Sequence, residues 1–416
     1  MLAARAPMGE RILDQADPIL IVGGGLGGLS TALAFGRKGR RVLLLEQTAE
    51  LGAIGYGIQL GPNVFHMFDR LGVSAAVKAK AEFPPAIIWI DAYSGREITR
   101  VVTGAAFERR FGQPYIIIHR VDLHHVLLNA CRALPNIAFA PSATVTGFED
   151  HGDHVIALTG DGRRFRGCML IGADGLRSRI RTQLKGDREP RLIGWVAHRT
   201  IVPVAQAPAG IDTRAVTFWG GEGFHIIHYP LRQGSVLNIV AVFRTPTYAE
   251  RGDVDSYRAE LRKTYADAHP LIQSMIAMVD LDRRWPIADR DPARGWSKGR
   301  VVLLGDAVHP TLQSLAQGAC MAIEDAVCLA ELVDLADGDF AAAFAHYEAE
   351  RFRRTSRVVY ESRYLWKSYH AEGPRRAAIL APFQGRSSDE MIRRVAWIYD
   401  GYTPPMSLDR SGPPAE

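Results

Sequence analysis

The chain is poor in cysteine. Its 416 residues contain four, Cys131, Cys168, Cys320 and Cys328, which are far apart or separated by seven residues. None forms a Cys-x-x-Cys pair or a Cys/His spacing, so a disulfide scaffold and a metal site are both excluded and the four read as buried thiols. Long apolar runs are missing as well. Charge, Gly or Pro interrupts every apolar stretch before the roughly 18 residues that a spanning helix needs, so no transmembrane segment is expected. The N-terminal stretch carries Arg5, Glu10, Arg11 and Asp14 where a secretory signal would have an apolar core, and Ile19 to Gly23 reads as a first strand. The expected compartment is the cytoplasm. Nor is there an excess of one charge: 50 Lys and Arg face 45 Asp and Glu, a net +5, without like-signed blocks. That balance suits a small anionic ligand and leaves no footprint for nucleic acid.

What is present is an ordinary globular composition, 47% hydrophobic and 23% charged, on a chain long enough for two interlocked domains. Pro18 to Gly23, Leu26 to Gly39 and Arg41 to Glu46 read as strand, helix and strand, a βαβ start. Helices are expected over Asn63 to Leu71 and Val121 to Leu134. Between them, Ala86 to Asp91 and Glu97 to Val102 flank the turn Ser94-Gly95, a hairpin excursion into a second domain. From about Trp195 to Trp285, alternating runs (Trp195 to Val202, Ala215 to Trp219, His225 to Tyr229, Val236 to Phe243) predict an antiparallel sheet. Val301 to Leu304 is a further buried strand. Long helical patterns follow over Gln317 to Leu335 and Phe340 to about Tyr369, then a helical cap and a Pro-rich end at Pro404 to Pro414.

Three turns combine glycine with an acid. In the first, Gly23, Gly25 and Gly28 form a GxGxxG that also includes Leu26 and Gly27, after a strand and before a helix. Glycine permits the tight turn and close approach of a pyrophosphate, and the helix N-terminus offers free N–H groups. Glu46 ends the second strand at the distance expected for a ribose-binding acid, which favours FAD or NAD over NADP. The second turn, Gly172-Ala173-Asp174-Gly175, follows the apolar run Cys168 to Ile171; Asp174 can face a pyrophosphate region or simply cap the next helix. The third, Gly305-Asp306-Ala307-Val308-His309-Pro310, leads into Gln317, Gly318 and Ala319. There Asp306 can accept from a ribityl hydroxyl, and the helix N-terminus can face the edge of a flavin ring.

In that order and spacing, the three turns resemble the single-component FAD-dependent aromatic hydroxylases, over nearly the whole chain. The runs Leu51 to Asn63 and Pro310 to Ser314 are most similar to the 3-hydroxybenzoate 6-hydroxylase and salicylate hydroxylase branch. The resemblance implies an α/β fold in which a discontinuous Rossmann-type FAD-binding domain (1–82, 110–190, 290–335) is interleaved with a β-sheet substrate domain (83–109, 191–289), followed by a C-terminal helical region (336–416). It implies FAD as cofactor, NADH or NADPH and O₂ as co-substrates, and a small aromatic acid as substrate, hydroxylated through a flavin C4a-hydroperoxide; it leaves a homodimer open.

Residue by residue, the resemblance assigns Glu46 to the adenosine ribose, Arg120 to the pyrophosphate or ribityl side, Asp174 to the region shared by FAD and nicotinamide, and Asp306 to the ribityl chain. Gln59, Gln317, Gly318 and Ala319 join the cofactor site. His225, Tyr229 and Gln313 line the substrate, with His225 accepting the phenol proton. His228, on the opposite strand face, reads as structural. Tyr56 departs from the small residue expected beside Gly57. Decarboxylating hydroxylases of the salicylate or 6-hydroxynicotinate type, other flavin oxidoreductases and a non-enzymatic flavin or lipid binder are the competing expectations.

Overall fold

The computed structural model describes residues 17–408 except 53–54, 188 and 246–253. The N-terminal charges Arg5 to Asp14, residues 53–54 of the glycine-rich run and the last residues of the Pro-rich end lie outside the described residues.

Short apolar strands, with the polar Ser297–Lys298 at one edge, build a six-stranded sheet. Its order is Ser297–Lys298, Val301–Leu303, Met169–Gly172, Ile19–Val22, Val42–Leu45 and Ile137–Ala140, parallel throughout except for the antiparallel first strand. Strands buried on both faces need no alternation, which is why these segments read as unbroken apolar runs. Helix Leu26–Arg37 packs on the sheet, with Arg120–Arg132 and Gly318–Leu335 packed against the helix. The register pairs Val22 with both Leu45 and Gly172, and Gly172 with Leu303. All three glycine-acid turns therefore leave the same carboxyl edge of one parallel sheet, the edge where ligands bind in open α/β folds.

A second sheet has seven strands, in the order Trp285–Asp289, Arg191–Pro203, Val236–Arg244, Phe224–Leu231, Val216–Gly221, Ala86–Asp91 and Glu97–Val102. Neighbours are antiparallel except Val216–Gly221 beside Ala86–Asp91. Alternation along Phe224–Leu231 sends His225, Ile227 and Tyr229 to one face, and Phe224, Ile226 and His228 to the other. The second face is covered by helices Val254–Thr264 and Pro270–Ile276, through Tyr257, Leu261, Tyr265, Ile272 and Met275. This corrects the reading of 195–285 as sheet alone. The i, i+4 spacing of Tyr257, Leu261 and Tyr265 carries a helix that shields one side of the strands.

The 30-residue helix Phe340–Tyr369 then runs back across the molecule, and its C-terminal turns meet the first face of the large sheet through Trp366 and Tyr369. Smaller helices at Arg375–Leu380 and Ser388–Tyr399 follow, the latter started by a Ser387/Glu390 capping box. Among the described residues no helix is long and apolar enough to cross a membrane, and no cluster of potential metal ligands occurs. Cys131, Cys320 and Cys328 are buried free thiols, and Cys168 is half-buried.

Candidate active site

A cavity of about 530 Å³ opens between the parallel sheet's carboxyl edge and the first face of the large sheet. Gly25, Leu26, Gly27, Ala173, Gly175, Gly305, Asp306, Gly318 and Ala319 line one side. Ala197, Arg199, Ile227, Tyr229, Val240 and Gln313 line the other, and Tyr56, Gly57, Gln59, Arg120 and Trp285 complete the wall.

The cofactor side is made by backbone that side chains cannot enter. A Cβ on Gly28 would lie 1.9 Å from the Gly23 carbonyl oxygen, and one on Gly23, whose φ is 107°, 2.5 Å from that of Ala173. Gly25, by contrast, has nothing within 4 Å of a Cβ position, leaving its surface open. Helix Leu26–Arg37 begins at Gly25 with neither a side-chain cap nor an acid in its first turn, and helix Gly318–Leu335 begins at Gln317 in the same way. Two helix N-termini thus present free N–H groups to one cavity, as an elongated anionic ligand requires. Asp306 opens onto the cavity yet lies deep among protein atoms, and burial raises its carboxyl above the usual range. A glycine cradle, two uncapped helix starts and one acid in a row fit the pyrophosphate, ribityl chain and ring edge of FAD.

Other expected cofactor residues stand beside the cavity rather than in its lining. Glu46 does not line the cavity; its carboxylate accepts from Gly24 N–H at 2.7 Å and from Thr48 N–H at 2.9 Å, which fixes the glycine loop. Asp174 accepts from Ser178 Oγ at 2.5 Å, Arg179 N–H at 2.8 Å and Ile180 N–H at 3.3 Å, so it caps helix Arg179–Lys185 while its neighbours Ala173 and Gly175 face the cavity. Burial raises the Asp174 carboxyl. Gln317 is buried against Asn63, whose amide donates to Gln317 at 3.0 Å and to Glu324 at 2.8 Å. Glu324 and Asp325 pair with Arg351 at 2.7 Å each, and Asp325 also meets His309 at 2.6 Å. His309 is thereby held by the helix that follows rather than turned to the cavity. Sequence reading missed this buried ion network; its only linear trace is two adjacent acids in an apolar helix.

On the substrate side, Tyr229 stands over Gly57, where a Cβ would come within 2.3 Å of the ring. Burial pushes its phenol up to about 12, and Arg199 and a hydrogen bond to Gln59 temper the rise, so it stays a neutral donor. Tyr115 donates to the Gln59 side-chain oxygen at 2.6 Å. Tyr56 lies edge-on to Trp285 with ring centroids 6.1 Å apart, narrowing the wall beside the glycine strand. Arg199, absent from the sequence-based set, donates to the Gln313 side-chain oxygen at 3.1 Å. The Gln313 Nε2 is buried and has no partner among the described residues.

His225 shares the strand face of Tyr229 but is not among the cavity-lining residues. Its Nδ1 lies 2.6 Å from His370 Nε2, and Trp366 and Phe218 pack around the pair. Burial first, and then His370, holds His225 well below the usual imidazole range, and burial brings His370 down to about 3. Both rings are neutral at pH 7. The register places His225 beside Val242 and Val242 beside Ala197, a cavity residue, so the pair sits one row behind the wall.

Comparison with known proteins agrees with this geometry. Residues 17–362 match a family model described as an FAD binding domain. The chain is 40% identical to 3-hydroxybenzoate 6-hydroxylase of Klebsiella oxytoca, over 91% of this chain and 96% of that one. It is 39% identical to 3-hydroxybenzoate 6-hydroxylase of Polaromonas naphthalenivorans, over 93% and 96%. Its fold matches Klebsiella pneumoniae HpxO complexed with FAD and uric acid at a TM-score of 0.81, with 27% identity over 92% of this chain and 96% of that one. With its glycine cradle, uncapped helix starts and aromatic-lined cavity, the chain belongs to the FAD-binding-domain family and, within it, to the flavin-dependent aromatic-ring monooxygenases.

Proposed function

We propose that the chain hydroxylates a small phenolic aromatic acid of the 3-hydroxybenzoate type in the cytoplasm, consuming one NADH or NADPH and one O₂ and releasing water. The observation that carries this reading is a single cavity whose one side is the glycine-and-acid cradle and whose other side holds Tyr229, Gln313 and Arg199. Two relatives near 40% identity with that named activity support it.

FAD, when bound, would supply the redox chemistry, as acceptor of the nicotinamide hydride and donor of one oxygen atom of O₂ to the arene. The chain's own residues supply position and dryness. Gly25 to Gly27 would donate backbone N–H groups to the pyrophosphate with Arg120 nearby, Asp306 would accept from the ribityl chain, and Gly318 and Ala319 would present a helix start to the flavin's polar edge. Glu46 acts by fixing the glycine loop, Asp174 by fixing the turn whose backbone faces the cofactor, and Gln317 by tying the second helix start to Asn63. Ile227, Val240 and Trp285 keep water from the arene, while Gln59, Tyr229 and Gln313 set which ring carbon is presented, a placement in which about 1 Å can cost on the order of 100-fold in rate. A phenolate is the better nucleophile. His225, the residue expected to accept the phenol proton, stands one row behind the cavity wall with its Nδ1 against His370, and its substitution is the test of that role.

The test is a panel of 3-hydroxybenzoate, salicylate and 6-hydroxynicotinate. Acceleration of NADH or NADPH oxidation by 3-hydroxybenzoate, with a product one oxygen atom heavier, is expected; acceleration with peroxide as the only product would overturn the reading. In His225→Ala, FAD should remain bound while hydroxylation slows and reductant oxidation leaks to H₂O₂. An unchanged product yield would remove His225 from the mechanism.

A further inference from the structure

Strand Arg191–Pro203 is mostly apolar on its inner half, and Arg199 interrupts it on the face that looks into the cavity. A guanidinium is expensive to bury unless a carboxylate or several acceptors meet it. Arg199 forms no ion pair with a carboxylate among the described residues, and its one hydrogen bond there is to Gln313 at 3.1 Å. The cavity's own acid, Asp306, lies on the opposite side with the cofactor cradle. Arg120, the other cavity arginine, adds positive charge and so cannot relieve it. The environment is built for an anion that the protein does not contain.

The position identifies which anion. Arg199 pairs in register with Val240, and Val240 with Ile227, so it belongs to the apolar wall that faces the arene rather than to the glycine loop that receives a pyrophosphate. Beside it in the lining is the neutral phenol of Tyr229, and Gln313 holds the guanidinium from behind through its side-chain oxygen. A planar fork of N–H groups flanked by a hydroxyl matches a carboxylate on an aromatic ring.

We propose that Arg199 is the specificity-determining residue that binds the substrate's carboxylate, with Gln313 holding the guanidinium in place and the Tyr229 phenol as the neighbouring donor. The inference rests on the aromatic-acid reading of the site and deepens it. It makes an ionised carboxylate, rather than the phenol alone, the group that admits a substrate, and it turns the ring so that the carboxylate points to strand Arg191–Pro203.

The experiment uses FAD-loaded wild-type protein, Arg199→Met and Arg199→Lys, with 3-hydroxybenzoate and its uncharged counterpart 3-hydroxybenzamide. Affinity is read from perturbation of the flavin absorbance, and kcat and KM from reductant oxidation. Wild type should prefer the acid. Arg199→Met should weaken the acid on the order of 100-fold, as expected for truncating one member of a buried charged pair, while leaving the amide and the FAD content nearly unchanged. Arg199→Lys should recover part of the loss. Equal weakening of acid and amide would make Arg199 a packing residue, and an unchanged acid affinity would remove it from the site; either overturns the proposal. Failure of the underlying reading is distinguishable, because it is seen in the wild type, which would then bind neither ligand and oxidise reductant no faster with them.

Discussion

Arg199 donates to the side-chain oxygen of Gln313 at 3.1 Å, and this bond joins the inner face of the large sheet to the loop that follows the Gly305-Asp306 turn. It is one polar link between a strand of the large sheet and a loop that leaves the parallel sheet, beside that of Gly57 N–H to Asn238 Oδ1 at 3.0 Å.

Removing that link should separate substrate binding from cofactor binding. In Gln313→Leu the guanidinium that faces the substrate loses its acceptor. KM for the aromatic acid should rise by roughly 10-fold, the scale of a lost hydrogen bond to a charged group, with FAD content unchanged. Steady-state kinetics alongside flavin quantification would check it, and a loss of FAD with KM intact would contradict the assignment.

Glu46→Ala addresses the other end. Without the carboxylate, the N–H groups of Gly24 and Thr48 lose acceptors at 2.7 and 2.9 Å and the glycine loop loosens. The FAD dissociation constant, measured by titrating the flavin-free protein, should rise about 10- to 100-fold. Unaltered affinity would mean the loop holds its shape without this acid.

How these sites arise from the sequence differs between the two ends. The glycine loop was legible because its function is local: strand, glycines, helix and acid follow one another, and each limits the backbone. The long helix Phe340–Tyr369 and the alternating strands were legible for the same reason. Arg199 was not. Alternation tells which strand face a side chain shares, but only pairing with Val240 reveals what that face looks on. The contact between His225 and His370 joins residues 145 positions apart and has no linear signature. Asp174 was read with both roles open, and its three hydrogen bonds to Ser178, Arg179 and Ile180 make it a helix cap. Helices Val254–Thr264 and Pro270–Ile276 were hidden because the strands around them set the expected pattern.

Gly57→Ala should impair turnover without unfolding the chain. The added methyl would meet the Tyr229 ring at 2.3 Å, and the ring, as a side chain, must yield. Displacing it by even about 1 Å should lower kcat on the order of 100-fold. Pre-steady-state hydroxylation against reductant oxidation would show product yield falling as peroxide rises, whereas full coupling would place Tyr229 outside the arene's contact.

The buried histidines set the acid limit of stability. Burial holds His198 and His228 near 4 and His370 near 3, and depresses His225 as well. In the unfolded chain such groups titrate near 6.5. Above that pH both states are neutral and stability is complete. As pH falls from about 6.5 toward 4, the unfolded chain gains protons that the folded one refuses, so stability should decline over this window. His228 has both ring nitrogens buried without a partner among the described residues. His228→Leu should therefore raise stability by about 1 kcal/mol at neutral pH and flatten the acid decline by one group. Urea denaturation at several pH values would test it; an acid decline of unchanged steepness would contradict the assignment.

The most direct measurement is a flavin titration of the purified chain followed by titration with a phenolic acid, read from the visible flavin bands. One FAD per chain and a saturable spectral change with 3-hydroxybenzoate are the expected results, since the arene should lie against the ring in the shared cavity. Protein that stays colourless after incubation with FAD, or bound flavin whose spectrum ignores saturating aromatic acid, would contradict the convergence of cradle and arene wall on one site.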